Sequence, residues 1–494
     1  MKRFVALLLL CGILSGCSAF PAENVPPTEA ETRIPETEAS SLQVTGEVVQ
    51  IDLRDQEITV SGDGSGVYTS RDIIYYENKT EYPSGNPYGE GEAWEMHTEE
   101  EAAEHLVVNI TAPGSYRLRG RLNKGQIRID LGEDAYDDPN AVVNLILDGV
   151  DITCEVAPAI VFRNVYECDG DWSLGKAKPD VDTAAAGANL ILAEGSENTV
   201  TGSHVAKIYK DKEGEKKLWK QDGAVYSYMS MNVYGPGALD IHGDSEGMDT
   251  ELHLTIWGGD INIRSNNDGI NTNEDGVSVT AIRGGNVHIL AGLGEEGDGI
   301  DSNGYLVIYG GTVISSAHPA SDAGLDSDLG SFIHGGTVIA LGAPMDWAES
   351  DSSQVTINLQ FARQQNGSSK IVVAREDGST VFEFDPGSDA VLKEQLRPYQ
   401  GLILSCPDFR VGDVYEVFLD GMKMAYTGTD VMRHPGGKPP AEGGQPPQDG
   451  MDMPGGQAPG EMPQPPQGGA EGEKQTLFRM QDKVNFFSGL TQAQ

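Results

Sequence analysis

Glu246-Gly247-Met248-Asp249-Thr250 is the first of four copies of one five-residue phrase, and these copies decide the fold. The phrase reads acidic, Gly, apolar, Asp or Asn, Ser or Thr. The later copies are Asp268-Gly269-Ile270-Asn271-Thr272, Asp298-Gly299-Ile300-Asp301-Ser302 and Ala323-Gly324-Leu325-Asp326-Ser327. A looser copy precedes them at Asp222-Gly223-Ala224-Val225-Tyr226-Ser227, 24 residues before Gly247.

A Gly-Gly pair follows each of the four phrases. The pairs are Gly258-Gly259, Gly284-Gly285, Gly310-Gly311 and Gly335-Gly336, and they start 26, 26 and 25 residues apart. A fixed period in the mid-twenties is typical of a solenoid. The short runs after the pairs alternate polar with apolar residues and are rich in β-branched residues, which predicts strands. The runs are 260–263, 286–289, 312–314 and 337–339.

The fold class predicted from this period is all-β, with a parallel β-helix as its main part. Leucine-rich repeats are the main alternative solenoid, but their pattern of Leu at several fixed positions is absent. In a parallel β-helix, equivalent positions of successive repeats lie about 4.8 Å apart. Asp249, Asn271, Asp301 and Asp326 are therefore expected in one column, with Glu246, Asp268 and Asp298 in a neighbouring column.

Such columns of acids predict a metal site. Two carboxylates about 5 Å apart repel by about 3 kcal/mol at an effective dielectric near 20. A hard divalent cation with oxygen ligands, Ca²⁺, would relieve this repulsion. The alternative is that these residues only form turns and are left to water and salt. The candidate ligands are Glu246, Asp249, Asp268, Asn271, Asp298, Asp301, Asp326 and Asp328.

The N-terminal sequence predicts that the protein is located outside the cytoplasm. Met1-Lys2-Arg3 is followed by a short apolar run and then by Leu14-Ser15-Gly16-Cys17, which resembles the lipobox of bacterial lipoproteins. We expect cleavage before Cys17, lipidation of Cys17 and anchoring at the cell membrane on the cell surface. An ordinary secretory signal with cleavage near Ala19 is the alternative.

The net charge limits the classes of binding partner, and the cysteine content bears on disulfides. The formal net charge of −42 argues against nucleic acid and anionic lipid as partners. It also argues against binding of an acidic polymer unless a cation bridges the two. Cys154 and Cys168 could pair, but disulfides are not expected to hold this chain together. We expect a monomer.

The remaining segments differ in composition. Thr98 to His105 is predicted to be a short helix, with Thr98 as N-cap and Glu101 three residues later. Asp-Gly turns at 377–378 and 420–421 predict antiparallel hairpins. The predicted domains are a lipoprotein signal peptide at 1–17, a disordered tether at 18–43, an irregular N-terminal β region at 44–106, a parallel β-helix at 107–345, a small antiparallel β module at 353–427, a Pro/Gly-rich disordered segment at 434–473 and a tail without assigned role at 474–494.

The order of several phrases resembles a known family. The stretches "SYRLRGRLNKGQIRID" from 115, "VNLILDGVDIT" from 143, "ANLILAEGSENTVTG" from 188 and the Asp-Gly-Ile phrases with Gly-Gly spacers are similar to the carbohydrate-binding β-helix family of clostridial cell-surface proteins. That family is itself similar to calcium-containing polysaccharide lyases of the pectate-lyase kind. The resemblance implies a right-handed parallel β-helix, bound Ca²⁺ and binding of plant cell-wall glycans, cellulose or acidic sugars such as polygalacturonate.

Three functions follow as hypotheses. The first is a non-catalytic, calcium-dependent polysaccharide-binding protein, in which exposed aromatic side chains stack on sugar rings. Its candidate aromatic residues are Trp257, Tyr305, Tyr309 and Trp347, although packing against a neighbouring repeat is equally expected for each. The second is a polysaccharide lyase with Arg264 or Arg283 as base, although each is more simply a partner for the acids. The third is a structural surface protein or adhesin.

Overall fold

The structure is a computed structural model that describes residues 42, 44, 46–77, 95–170, 173–209, 217–431 and 473–493. Strands are the main regular structure of these residues and helices are few and short, which confirms the predicted all-β class. They all belong to one compact unit, Glu36–Gln494. The predicted signal peptide, with Cys17, and nearly all of the segments 18–43 and 434–473 lie outside the described residues. None of the described helices is long and apolar enough to span a membrane.

The N-terminal part is the least regular. Its elements are β1 Val48–Arg54, β2 Glu57–Ser61, β3 Val67–Ser70, α1 Glu99–Ala103, β4 Leu106–Ile110, β5 Gly114–Leu122, β6 Gly125–Asp130, a 3-10 turn Glu133–Asp137, β7 Val143–Thr153, β8 Ile160–Asn164, β9 Ala188–Leu192, β10 Glu197–Gly202, β11 Val205–Tyr209 and β12 Lys217–Gln221. The predicted short helix is confirmed as α1. The Thr98 hydroxyl accepts the Glu101 N–H at 3.2 Å, and the Glu101 carboxylate accepts the Thr98 N–H at 2.8 Å.

The repeated phrases and their spacers form the next strands. These are β13 Gly223–Ser227, β14 Met231–Tyr234, β15 Ala238–Gly243, β16 Glu246–Thr250, β17 Leu254–Ile256, β18 Asp260–Ser265, β19 Ile270–Thr272, β20 Val279–Ile282, β21 Asn286–Leu290, β22 Ile300–Ser302, β23 Tyr305–Ile308, β24 Thr312–Ser316, β25 Gly330–Ile333 and β26 Thr337–Gly342. The strand runs predicted after the Gly-Gly pairs are confirmed as β18, β21, β24 and β26.

Successive repeats pair in three ladders of parallel strands. The first ladder runs β4, β6, β8, β13, β16, β19, β22. The second runs β9, β14, β17, β20, β23, β25. The third runs β10, β15, β18, β21, β24, β26. Residues one period apart in sequence are therefore neighbours in space.

The core lies between these ladders, where the inward side chains of each strand lie above their equivalents in the preceding repeat. In the third ladder, Ile261, Val287, Val313 and Val338 are register partners and all are fully buried. Burial of each such side chain contributes about 1.5–3 kcal/mol, so the apolar columns stabilise the stack.

A module of antiparallel strands follows the last parallel strand. Its elements are β27 Thr356–Gln365, β28 Ile371–Arg375, β29 Thr380–Phe384, two 3-10 turns Pro386–Ser388 and Leu392–Glu394, β30 Tyr399–Ser405, β31 Val414–Leu419, β32 Met422–Ala425, β33 Phe478–Arg479 and β34 Val484–Gln492. The predicted hairpins are confirmed as β28–β29 and β31–β32. Strand β30 pairs with β26, so the module covers the end of the third ladder.

The C-terminal tail, which had no predicted role, belongs to this module. Strand β34 pairs in parallel with β27 and antiparallel with β32, and β33 pairs with β31. Phe478, Phe487 and Leu490 are buried there. The module therefore needs residues from both sides of the segment 432–472.

The considered pairing of Cys154 with Cys168 is wrong, because both thiols are free. Cys154 is buried after β7, whereas the Cys168 Sγ lies 3.5 Å from the Glu167 carboxylate. Burial raises the pKa of each thiol to about 12.

Candidate functional site

The repeated acids line the first ladder in the order that the sequence predicts. Asp249 pairs with Asn271, and Asn271 pairs with Asp301. The Asp326 N–H donates to the Ile300 carbonyl at 2.8 Å, which places Asp326 beside Asp301. One column therefore carries a carboxylate or an amide in each of four successive repeats.

A second acidic column runs beside the first. The N–H groups of Gly247, Gly269 and Gly299 donate to the carbonyls of Asp268, Asp298 and Ala323, at 3.1, 3.0 and 2.9 Å. Glu246, Asp268, Asp298 and Ala323 thus follow one another along the ladder. We call the two columns together the acidic corner.

Amide groups donate hydrogen bonds to the two carboxylates at the upper end of the acidic corner. Glu246 accepts a hydrogen bond from Asn271 Nδ2 at 3.0 Å, and Asp249 accepts one from Asn273 Nδ2 at 2.6 Å. Glu246 and Asp249 are almost fully buried. These bonds disperse part of the two negative charges.

The lower end concentrates negative charge around Asp298. Burial raises the pKa of the Asp298 carboxyl well above its usual range, and the carboxylates of Asp268, Asp326 and Asp301 raise it further. The Asp298 carboxylate accepts one backbone hydrogen bond, from the Ala323 N–H at 2.6 Å. A group whose ionised form is destabilised in this way would be stabilised by a bound cation.

Two further carboxyls belong to this region. Burial raises the pKa of Asp328, and Asp275 and Asp326 add to the shift. Burial also raises the pKa of Asp346, which hydrogen-bonds Asp326. Sequence reasoning missed Asp346 because it lies outside the repeated phrase and shares no period with it.

The donor atoms of the acidic corner suit a hard cation. They are carboxylate and amide oxygens, the ligands that Ca²⁺ takes. The Asn271 Oδ1 is buried and accepts no hydrogen bond from the described residues. Among the residues that the structure covers, however, no three His, Cys, Asp or Glu side chains converge as a cage ready to hold a metal. The donor chemistry fits calcium, and the donors would have to draw together around it.

A different column, without acids, lies at the corner between the second and third ladders. It consists of the residue immediately before each glycine turn, and we call it the aromatic ladder: Tyr234, Trp257, Arg283, Tyr309 and His334. Tyr234 and Trp257 stack with centroids 5.9 Å apart. The Arg283 guanidinium carbon lies 5.0 Å from the Trp257 centroid and 4.4 Å from the Tyr309 centroid. Tyr309 and His334 are 5.4 Å apart.

The aromatic residues predicted to stack on sugars pack mainly on protein. The ring faces of Trp257 and Tyr309 are covered by their neighbours in the aromatic ladder, so their edges are what remains for a ligand. Tyr305 packs on Phe332, at a centroid distance of 5.8 Å. Trp347 is 6% exposed and lies in the core, so its prediction as a surface residue is wrong. The sequence signal for the aromatic ladder was the position of its residues, which directly precede the glycine turns.

The two arginines considered as bases have different surroundings. Arg264 binds Glu394 of the module at 2.5 and 2.8 Å and Asp240 at 3.3 Å, so it is held by acids. Arg283 lies between aromatic rings instead. Neither contact places an arginine beside the acidic corner.

Comparison with known proteins gives three findings. A family model described as "Carbohydrate-binding domain-containing protein" matches residues 104–169 and 177–378, more than half of the chain. A protein of Acetivibrio thermocellus with the same description is 31% identical over 159 residues, or 32% of this chain. The match spans 45% of the length of that relative.

The third finding concerns a solved structure, which is described as a polysaccharide lyase-like protein from C. thermocellum in a gadolinium derivative. It is 21% identical, with a TM-score of 0.35, and the alignment covers 59% of this chain and 93% of that one. This likeness is too low to carry an argument about the present chain.

Proposed function

The chain belongs to the family of carbohydrate-binding domain-containing proteins, and from this premise we propose that it binds polysaccharide without cleaving it. The observation that carries the proposal is the extent of the family match, which spans the three parallel ladders and reaches into the module. Plant cell-wall glycans, cellulose and acidic sugars such as polygalacturonate are the candidate ligands.

The architecture proposed for the binding body is a right-handed parallel β-helix over residues 107–345. Its support is the parallel pairing of strands about one period apart in all three ladders. In such a body each face is a straight column of equivalent side chains, which suits a linear polymer with a regular repeat.

Calcium is proposed as the ion of the acidic corner. Asp268, Asp298, Asp301 and Asp326 would hold it, with Asn271 and Asp346 as further oxygen donors. The ion would neutralise the carboxylates and could bridge them to the carboxylate of a uronic acid. The burial of Asp298 among three acids supports this assignment.

The cellular setting is proposed from the N-terminal sequence. A lipobox at Cys17 would anchor the protein to the outer side of the cell membrane. We propose that the anchored protein is a monomer. Replacing Cys17 with Ala should release the protein into the soluble fraction, whereas release of the unaltered protein would contradict the anchor.

A lyase is the second candidate, and the surroundings of the arginines do not favour it. β-Elimination needs a base next to the metal-bound uronate. Arg264 is occupied by Glu394 and Asp240, and Arg283 belongs to the aromatic ladder.

One experiment separates these functions. The chain without residues 1–17 is mixed with cellulose and with polygalacturonate, each with calcium and with chelator, and retention and ultraviolet absorbance of unsaturated product are measured. We expect retention on polygalacturonate that requires calcium, without product. Product formation would instead establish a lyase, and no retention on any glycan would leave a structural surface protein.

A further inference from the structure

Arg283 is a cation that the fold holds in place without an acidic partner among the residues that the structure describes. Its Nε is buried and has no partner within the described ranges, so its N–H donates no hydrogen bond there. Its guanidinium lies between the rings of Trp257 and Tyr309, which restrains the side chain from both sides. The backbone is restrained as well, because the Arg283 N–H donates to the Ile256 carbonyl at 2.8 Å.

Arg283 has no carboxylate partner among the described residues, although the chain is rich in acids. The chain has 76 acidic and 34 basic residues. Arg117 and Arg119 share Asp148, and Arg264 binds two acids. Among the described residues, no Asp or Glu oxygen lies within the 4.0 Å ion-pair distance of Arg283. A cation stacked between two rings is stabilised by their negative faces, and this stacking by itself uses none of its N–H donors.

Two glycines and the segment around Pro179 border Arg283. The residues after Arg283 are Gly284 and Gly285, so no side chain rises beside the guanidinium on that strand connection. The Tyr309 hydroxyl donates to the Pro179 carbonyl at 3.2 Å, so a segment with exposed Lys178 lies next to the aromatic ladder. Asp180 of the same segment is close enough to raise the pKa of Tyr309, after the larger effect of burial.

We propose that Arg283, with the edges of Trp257 and Tyr309, forms a subsite for the carboxylate of a uronic acid residue in a bound polysaccharide. The proposal rests on the proposed polysaccharide binding, and it adds a second contact that needs no metal. The planar guanidinium fork matches a carboxylate through two parallel N–H···O bonds. The exposed ring edges and the glycine backbone offer an apolar border for the sugar ring.

The test compares Arg283→Gln with Arg363→Gln, which removes the same charge from an exposed arginine of β27. The probes are an oligogalacturonate, its methyl ester and dextran sulfate, and the dissociation constant is measured in calcium and in chelator. In calcium, Arg283→Gln should weaken oligogalacturonate binding about 10-fold or more, since a hydrogen bond to a charged group contributes on this order. Arg283→Gln should change the affinity for the methyl ester less than about 2-fold. Arg363→Gln should change the affinity for oligogalacturonate less than about 2-fold.

The thermal unfolding temperature of each variant checks that it is folded. A further variant, Arg283→Lys, keeps the charge but loses the guanidinium fork, and it should recover only part of the affinity. Equal binding by Arg283→Gln and the unaltered chain would overturn the subsite. Equal losses in Arg363→Gln would overturn it too. An equal loss for dextran sulfate would overturn the assignment to a carboxylate. If the unaltered chain retains no glycan, the proposed function fails together with the subsite, whereas calcium-dependent binding that Arg283→Gln leaves intact refutes the subsite alone.

Discussion

Gly285 shows how closely successive repeats of this molecule approach one another. Its φ of 82° lies in the left-handed region, and a Cβ added there would come within 2.6 Å of the Gly259 carbonyl oxygen. Gly311 and Gly336 meet the preceding repeat in the same way, at 2.4 and 2.5 Å. The Gly-Gly pairs are therefore required both by backbone conformation and by packing.

Gly285→Ala should lower the free energy of unfolding by about 3 kcal/mol or more. The left-handed conformation costs about 1–2 kcal/mol, and displacing the Gly259 carbonyl adds the rest. Gly378→Ala is the matched control, because Gly378 has a φ of 85° and nothing within 4 Å of the added atom. Denaturant unfolding measures both variants, and equal losses would show that conformation alone requires glycine.

Asp298 distinguishes a metal site from an acidic surface. Without calcium, Asp298→Asn should raise the unfolding temperature, because it removes a buried carboxylate from among three others. With calcium the order should reverse, because the unaltered protein gains a ligand-dependent stabilisation that the variant loses. Asp260→Asn, at an exposed position, is the control. A variant that responds to calcium as the unaltered protein does would contradict the assignment.

His204 makes stability depend on pH. Burial lowers the pKa of His204, but hydrogen bonding to Asp244 and Glu95 outweighs it and raises the pKa to about 9. The Nε2 lies 2.8 Å from Glu95 and the Nδ1 lies 3.5 Å from Asp244. Because the folded pKa exceeds the ordinary value near 6.5, the stabilisation is complete below about pH 6.5 and is lost as pH rises to 9.

His204→Gln should therefore be less stable than the unaltered protein at pH 6 by on the order of 2 kcal/mol, with the gap closing towards pH 9. His242→Gln is the control, since burial lowers the pKa of His242 and its effect above pH 7 should not vary with pH. Unfolding temperatures between pH 6 and pH 10 measure the gap. A gap that stays constant over this range would show that His204 acts through packing.

The three ladders turn a linear repeat into columns with defined contents. Each strand pairs with the strand one period away, so a side chain type repeated in sequence becomes a continuous column in space. The loose copy at 222–227 departs by one position from the predicted alignment, since Gly223 pairs with Glu246 and not with Gly247. Tyr226 consequently occupies the column of Asp249. The acids of this column therefore begin at Asp249, one repeat after the loose copy.

Strand β34 should be essential to the antiparallel module. Phe487 is 3% exposed and its ring lies 4.7 Å from Tyr426 and 4.9 Å from Phe478. Phe487→Ala should cost about 3–5 kcal/mol, as expected for a buried aromatic side chain. Leu477→Ala, at a position 38% exposed, should cost far less. Limited proteolysis and thermal unfolding report on the module, and a resistant, unchanged Phe487→Ala would show that β34 is dispensable.

The whole molecule carries an excess of negative charge that opposes folding. A net charge of −42 repels itself in the compact state, and salt screens this repulsion over a Debye length of about 10 Å at 0.1 M. Raising tetramethylammonium chloride from about 10 to 300 mM should raise the unfolding temperature by a few degrees. This cation is too large for the acidic corner, so any further rise with calcium reports specific binding. An unfolding temperature that falls with this salt would contradict the electrostatic account.

The module also shapes the whole molecule by covering one flank of the parallel ladders. His288 of β21 binds Asp389 at 2.7 Å, and the Arg397 guanidinium donates to the Gly292 carbonyl at 2.7 Å. Leu290, Ile314 and Ile339 pack with the module in one apolar cluster. The outer surface of the third ladder is therefore closed to a ligand over these residues, which leaves the acidic corner and the aromatic ladder as candidate faces.

The period, the strands that follow the Gly-Gly pairs, the capped helix at Thr98 and the two Asp-Gly hairpins could be predicted from the sequence, because each depends on residues close together or one fixed interval apart. It also placed the acids in order along the first ladder. Which acids are buried together follows from the packing of distant segments, because Asp346 joins the others from outside the repeat. The tertiary structure alone also brought the C-terminal strand to β27, covered the faces of Trp257 and Tyr309, and buried Trp347. These outcomes depend on how distant segments compete for the same surface, and no local pattern records that competition.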